Sequence, residues 1–318
     1  MGVPGTVSGL ELALARYGTM QRPALIAPAL HRALRGFVLE QGDVDMLHSA
    51  ADAFRRDPAS AAICLNQGQP FAVGQRLVQM DLAATLQSIA ERGAAGFYQG
   101  AVGAAIVASS RAGKGILSQA ELDQYQTREL KPVACNDRSY GGGALPERGD
   151  APCLCRPQQL TGRPRLRQPP TRPPARQGLC PAKIRAAIGL GVAGVSQALK
   201  PGVAPRGGSN TLHYAILDKA GNAVAVIYTL NDWFGAKVTV GVVGGNGVLL
   251  NNEMDDFTGK IGVPNLYGLL RGAANAIQPG KRPLSSISPT IATQDGKPLP
   301  VVGTPGAAAS SLRCCTPS

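Results

Sequence analysis

Ser209-Asn210-Thr211-Leu212-His213-Tyr214-Ala215-Ile216-Leu217-Asp218-Lys219-Ala220-Gly221-Asn222-Ala223-Val224-Ala225-Val226-Ile227-Tyr228-Thr229-Leu230-Asn231 is the stretch that decides how this chain is read. Its flanks are rich in β-branched and aromatic residues, and its centre, Asp218 to Asn222, is turn chemistry. The pattern predicts a β-hairpin. Thr211 opens the first strand, behind Pro205-Arg206-Gly207-Gly208-Ser209-Asn210, which has neither helix nor strand character. A threonine hydroxyl is a weak nucleophile unless a base stands beside it. One solution cuts the chain before the threonine, so that its own freed α-amine becomes the base. A threonine first on a strand suits that chemistry. It is equally an ordinary β-favouring residue, and the hairpin alone does not choose between the two.

The downstream residues shift the balance. Asn251-Asn252-Glu253-Met254-Asp255-Asp256-Phe257 is followed by Gly262-Val263-Pro264-Asn265, then by Lys281-Arg282-Pro283-Leu284-Ser285-Ser286-Ile287-Ser288-Pro289-Thr290, and finally by Gly303-Thr304-Pro305-Gly306-Ala307. In this order behind Asn210-Thr211-Leu212-His213-Tyr214, these runs resemble the γ-glutamyltranspeptidase (glutathione hydrolase) family of N-terminal-nucleophile hydrolases. The resemblance runs from Ala182 to Gly306, and also from Gly2 to about Tyr140.

Composition narrows the class. The 318 residues suffice for one large or two medium domains, and a hydrophobic content of 44% is ample for a core. Met1-Gly2-Val3-Pro4-Gly5 lacks the basic region and apolar run of a signal peptide, and no apolar stretch of about 20 residues suggests a membrane span. The seven cysteines show no zinc spacing, and their odd number argues against a closed disulfide framework. The net charge of +12 is local. No acidic residue lies between Asp150 and Asp218, while Arg156, Arg163, Arg165, Arg167, Arg172, Arg176, Lys183, Arg185, Lys200 and Arg206 fill that gap.

Along the chain, residues 1–140 form a helical part. Leu10, Leu12, Leu14 and Tyr17 begin one amphipathic pattern. Ala29 to Phe37 continues it behind Pro28, and Asp43 or Asp45 can cap a helix through Phe54. Gly68 to Gly74 is a loop. Asp81 opens a helix that Gly93 stops, a further helix spans about Ala101 to Arg111, and Ser118 with Glu121 forms a capping box. His31 and His48 fall in helical patterns and read as structural. Residues 141–181 change character: the Pro/Arg-rich run Arg163 to Pro174 has no period and reads as a basic linker, disordered or out of frame. Residues 182–210 lead to the cleavage site, and 211–318 form a β-rich catalytic part. Within it, Val238 to Leu250 reads as strand, glycine loop, strand. Lys281 to Ala292 leads into another strand, and Leu299 to Val302 is a short one.

The resemblance implies an α+β fold, the αββα sandwich of two stacked sheets between helix layers. It implies self-cleavage between Asn210 and Thr211, giving a heterodimer of large (1–210) and small (211–318) subunits from one zymogen. Thr211 would attack the γ-glutamyl amide of glutathione, forming a γ-glutamyl-enzyme that passes to water, an amino acid or a peptide. Thr229 would orient the Thr211 hydroxyl, and backbone N–H groups at Gly306 and Ala307 would receive the oxyanion. Asn231, Glu253 and Asp256 match the family's ammonium-binding positions, and Ser285 and Ser286 its carboxylate-binding positions. Neither metal nor cofactor is implied, and family members are periplasmic, secreted or surface-bound. The pattern also departs from the family. Leu212 follows the nucleophile where a hydroxyl residue is usual, and Ala307 stands in place of a glycine. The expected copy is incomplete, lacking N-terminal strands with a substrate-binding arginine, a middle helical part and the C-terminus, and this leaves an inactive copy open.

Two other readings stand beside this one. The same scaffold serves cephalosporin or glutaryl acylases, although Glu253, Asp256 and the paired serines favour a glutamyl substrate. A non-catalytic basic remnant could bind nucleic acid through residues 156–176, with steep salt dependence. The first reading involves no nucleic acid. Resequencing the locus tests the frame of 141–181 and 308–318. A shift that restores the family pattern is expected, and an intact frame with matching transcripts defeats the frameshift.

Overall fold

Among the described helices some begin at a side-chain cap and others have none. A computed structural model describes residues 1–132, 211–241, 246–269, 272–283, 285, 287, 289–294 and 296–302. The expected linkers 141–181 and 182–210 lie outside the described residues. The chain divides into two units, Met1–Leu130 with Leu230–Glu253, and Lys131–Thr229 with Met254–Ser318.

The first unit is helical. Its elements are α1 (Thr6–Tyr17), α2 (Arg22–Arg35), β1 (Phe37–Val38), α3 (Gln41–Phe54), α4 (Pro58–Cys64), β2 (Arg76–Leu77), α5 (Met80–Arg92), α6 (Ala95–Tyr98), α7 (Gly100–Ala112) and α8 (Gln119–Asp123). Asp43 does cap α3, as the reciprocal partner of Glu40: the Glu40 N–H donates to the Asp43 carboxylate at 3.0 Å. Asp45 does not; it accepts from the Gln41 amide at 2.7 Å. Asp57 caps α4, its carboxylate accepting from the Ser60 N–H at 2.8 Å. Ser118 and Glu121 form the expected box on α8, with the Ser118 N–H donating at 2.6 Å. The Ser118 hydroxyl also donates, and the two bonds hold the Glu121 carboxyl below the usual range.

One sequence expectation fails here. The residues place Pro28 ahead of a helix, yet α2 starts at Arg22 and runs through it. Pro23 in the first turn supplies a φ ready for the helix. Inside the helix Pro28 removes one hydrogen bond, at a cost of about 3 kcal/mol. The helix nevertheless continues through Pro28 and runs beside α5. Gly36, at φ +67, then turns the chain into β1, which pairs antiparallel with β2 (Phe37 opposite Leu77).

Two apolar clusters fill this unit. Leu39, Leu47, Phe54, Leu65, Phe71 and Leu77 make one, against which Phe234 packs. Phe97, Ile106, Leu122, Val240 and Leu250 belong to the other. Thus segment 230–253 returns apolar side chains to the helical cores. Of the two strands expected in Val238 to Leu250, the described residues show one antiparallel bridge, Thr239 to Leu249, with the Val240 N–H donating to the Val248 carbonyl (2.8 Å) and the Leu250 N–H to the Val238 carbonyl (2.9 Å). Residues 242–245 between them lie outside the described residues.

The second unit contains β3 (Thr211–Leu217), β4 (Ala223–Thr229), β5 (Thr290–Gln294) and β6 (Lys297–Val302). Among the described residues the strands of the whole chain form three two-stranded antiparallel ribbons. β6 runs close to both β3 and β4. The predicted hairpin is present, with Thr211 opposite Thr229 and Leu217 opposite Ala223. Its loop is held by Asp218, whose carboxylate accepts from the N–H groups of Ala220 and Asn222 (2.9 Å each) and from the Asn222 side-chain amide (2.8 Å). Gly221 supplies the left-handed conformation the loop needs, at φ +85. One face of the hairpin carries Thr211, His213 and the buried Ile227. The other exposes Leu212, Tyr214, Ile216, Val224 and Tyr228.

The Asp218 bonds favour the charged carboxylate, led by those from Asn222, and hold it below its usual range. A carboxyl depressed in the folded state stabilises above its unfolded pKa, and that contribution vanishes as pH falls through the lowered value. Asp218→Ala is therefore expected to lower the melting temperature at pH 7 and to make much less difference near pH 2, read by thermal denaturation.

Candidate active site

The hairpin register places Thr211 and Thr229 directly across from each other on one face. Cβ atoms of such pairs lie about 4.5–5.5 Å apart, within reach of two hydroxyls. His213 shares the face. Its Nδ1 lies 3.1 Å from the Val226 carbonyl oxygen, which can only accept, so the proton sits on Nδ1. His213 is two residues from Thr211 along a strand, about 6.6 Å. The hydrogen-bond partner of His213 is the Val226 carbonyl of the neighbouring strand.

Asn231 is buried in the first unit at φ +78, a conformation asparagine tolerates better than most residues. Asn252 braces it. The Asn231 amide donates to the Asn252 carbonyl (3.2 Å), the Asp232 N–H donates to Asn252 Oδ1 (3.0 Å), and the Asn252 N–H donates to the Leu230 carbonyl (3.1 Å). Buried Asn251 does the same for Glu253. Its Oδ1 accepts from the N–H groups of Glu253 (3.1 Å) and Gly2 (2.9 Å), and its amide returns to the Gly2 carbonyl (2.9 Å). In the sequence Asn251 and Asn252 are only two letters of a motif. The structure makes them the braces of Asn231 and Glu253.

Glu253 opens and Asp256 closes a single 3-10 turn, Glu253–Asp256. The Asp256 carbonyl accepts from the Asn275 amide at 2.6 Å. Asp255 acts differently. Its carboxylate accepts from the Leu266 N–H at 3.1 Å, tying the following loop to the turn. Lys281 caps the next 3-10 turn, Ala273–Asn275, by donating to the carbonyls of Ala274 (2.6 Å) and Ala276 (2.9 Å). Ser285 is exposed, its hydroxyl oxygen 3.4 Å from the Ile287 N–H. Asn210, Ser286, Gly306 and Ala307 lie outside the described residues. A surface cavity of about 190 Å³ lies between Asp255, Lys260 and Asn265 in the second unit. Binding pockets commonly enclose about 300–1,000 Å³. None of the candidate site residues lines this one. Among the described residues there is no group of three or more His, Cys, Asp or Glu fit to hold a metal.

The described helices and strands give a mixed fold, and it has a counterpart of known structure. A cephalosporin acylase from Bacillus halodurans superposes at a TM-score of 0.69, over 98% of this chain and 62% of that one, at 21% sequence identity. That likeness places the chain in the acylase-type fold and says nothing of its substrate. The family model for gamma-glutamyltranspeptidase matches residues 1–144 and 183–311, and the chain belongs to that family. A glutathione hydrolase proenzyme from Pseudomonas sp. (strain A14) is 52% identical over 96% of this chain and 59% of its own length. The protein of the same name from Escherichia coli (strain K12) is 35% identical, over 96% of this chain and 58% of its own. The chain therefore spans about three-fifths of the length of these relatives.

Gly235 shows how closely the segment after Asn231 is packed. It sits at φ +57, and a Cβ there would stand 2.3 Å from the Leu250 carbonyl oxygen. Gly235→Ala is expected to destabilise the protein by roughly 1–3 kcal/mol, measured by denaturant unfolding.

Proposed function

We propose that this chain is a γ-glutamyltransferase and glutathione hydrolase that works through Thr211 after self-cleavage from Asn210. The cross-strand pairing of Thr211 with Thr229 is the observation that carries the proposal. Family membership and two relatives named as glutathione hydrolase proenzymes support it. The full fold on this reading is the αββα sandwich, with residues 1–210 and 211–318 as paired subunits.

In the reaction, Thr211 Oγ attacks the γ-carbonyl carbon of the donor while its own α-amine takes the hydroxyl proton. The Thr229 hydroxyl aligns the attacking oxygen. Backbone N–H groups at Gly306 and Ala307 receive the negative charge that develops on the carbonyl oxygen. The tetrahedral centre then collapses, the C–N bond breaks, and the leaving amine departs with the proton. Water or the amine of an amino acid or peptide attacks the resulting ester, and Thr211 is restored. The donor's α-ammonium requires acceptors, and Asn231, Glu253 and Asp256 supply them. Its α-carboxylate requires donors, which Ser285 and Ser286 supply. A periplasmic or secreted location, where the family works, goes with this reading.

The acylase fold makes one alternative worth measuring. A glutaryl substrate lacks the α-ammonium and so has no cation to offer the acids of the 3-10 turn. Expression of the chain is expected to yield two fragments on a denaturing gel, divided at Asn210-Thr211, and release of a γ-glutamyl chromophore. Thr211→Ala is expected to give a single uncut chain with activity reduced more than about 10³-fold. A cut chain that prefers a glutaryl to a γ-glutamyl chromophore would move the assignment to an acylase, and an uncut, inactive chain would remove the enzyme reading.

A further inference from the structure

Between Asn231 and Lys237 the backbone repeatedly enters the left-handed region. Asn231 (φ +78), Phe234 (φ +56), Gly235 (φ +57) and Lys237 (φ +55) all have positive φ. Asparagine and glycine accept this conformation readily, whereas for a bulky residue such as phenylalanine it is a genuine outlier. Strain of this kind persists only where the surroundings over-determine it, and it concentrates at functional sites.

The surroundings are the corner between α3 and α4. The Phe234 ring meets Phe54, the fully buried last residue of α3, edge to face with centroids 5.1 Å apart. The Ser60 hydroxyl donates to the Lys237 carbonyl at 3.1 Å. The Thr239 N–H donates to the Asp57 carboxylate at 3.1 Å and to Ser60 Oγ at 2.9 Å. Within the loop the Lys237 ammonium pairs with the Asp232 carboxylate. On the other side Asn252 Oδ1 takes the Asp232 N–H, and the Leu250 carbonyl takes the Ala236 N–H at 2.8 Å. The strained loop is thus clamped at both ends, and Asn231 is its first residue.

We propose that the α3–α4 corner, acting through the contact of Phe54 with Phe234, is the positioning element that sets the Asn231 amide for the α-ammonium of a γ-glutamyl donor. The proposal rests on the functional reading above. Neither phenylalanine touches substrate. Phe234 holds the loop in a conformation that it would leave without an aromatic anchor, and Asn231 turns with the loop. Donation from Nδ2 to the Asn252 carbonyl fixes the plane of the amide, so the direction of its acceptor Oδ1 follows from the loop's conformation.

Phe234→Leu and Phe54→Leu in the full chain test this with two measurements. The first compares hydrolysis of γ-glutamyl-p-nitroanilide with that of glutaryl-p-nitroanilide, which keeps the carboxylate and lacks the ammonium. The expected result is a KM for the γ-glutamyl substrate raised about tenfold, with kcat little changed and the preference over glutaryl reduced by the same factor, the size of one weakened charge-assisted hydrogen bond. An equal loss on both substrates, or no loss, overturns the proposal. The second measurement is amide hydrogen exchange. Faster exchange is expected across residues 231–237 in both variants, with α7 unchanged. Unaltered exchange in 231–237 overturns the clamp whether or not the chain turns over substrate. A wild-type chain that hydrolyses neither anilide sinks the functional reading instead, and exchange then decides the clamp alone.

Discussion

Asp218 closes the loop between β3 and β4 with three hydrogen bonds to its own carboxylate, and that loop fixes which residues pair across the strands. Side chains alternate faces along a strand, so a slip of one residue would turn Thr211 away from Thr229 and place Leu212 on the face that now holds the threonines. The pairing is specified only weakly by burial, because the hairpin is apolar on both faces and one of them is exposed. Turn chemistry therefore carries more of the burden here than in a strand with a single buried side. Asp218 and Gly221, at the far end of the hairpin, help set the register that brings Thr211 and Thr229 together.

A second constraint operates in the other unit. Asn231 and Glu253 are each held by a neighbouring asparagine, through backbone and side chain together, and the loop after Asn231 is fastened to the end of α3 and the start of α4. Buried amides of this kind are costly when unsatisfied and directional when satisfied, so they fix geometry more than they add stability. The helical unit thereby does more than fill space. Its Phe54, Asp57 and Ser60 end where the chain after Asn231 begins to bend, and local backbone strain is maintained by contacts made far away in sequence.

The fold is shared with an acylase at low identity, and a scaffold alone does not choose a substrate. On the proposed reading, the choice between a γ-glutamyl and a glutaryl donor turns on whether an ammonium is to be bound. Glu253 and Asp256 stand at the two ends of one short 3-10 turn, and on the proposed reading they are the acceptors for that ammonium. Asp255 between them is engaged with the Leu266 amide, which gives that acid a structural part in holding the loop.

Much of this was legible from the residues. The hairpin from Thr211 to Thr229, the capping box at Ser118–Glu121, the stop at Gly93 and the loop ahead of β2 all follow from local chemistry, since each depends on residues within a few positions of one another, whereas Glu40, the partner of Asp43 at the start of α3, was not anticipated. Where long-range packing competes with local preference, the residues alone mislead. Pro28 reads as a helix boundary but lies inside α2, which runs beside α5 and starts six residues earlier, at Arg22. Val238 to Leu250 reads as two strands, and among the described residues it pairs through one antiparallel bridge while Val240 and Leu250 join the helical core. By itself the sequence determined the hairpin, a property of one short segment, whereas the candidate nucleophile Thr211, its partner Thr229 and the acids Glu253 and Asp256 were singled out by the ordered motifs that resemble the family. Only the tertiary structure decided that Asn231 starts a strained loop clamped on Phe54. Nothing local in Asn-Asp-Trp-Phe-Gly-Ala-Lys calls for a left-handed phenylalanine, and the anchor that stabilises it is about 180 residues away, as the chain numbering shows.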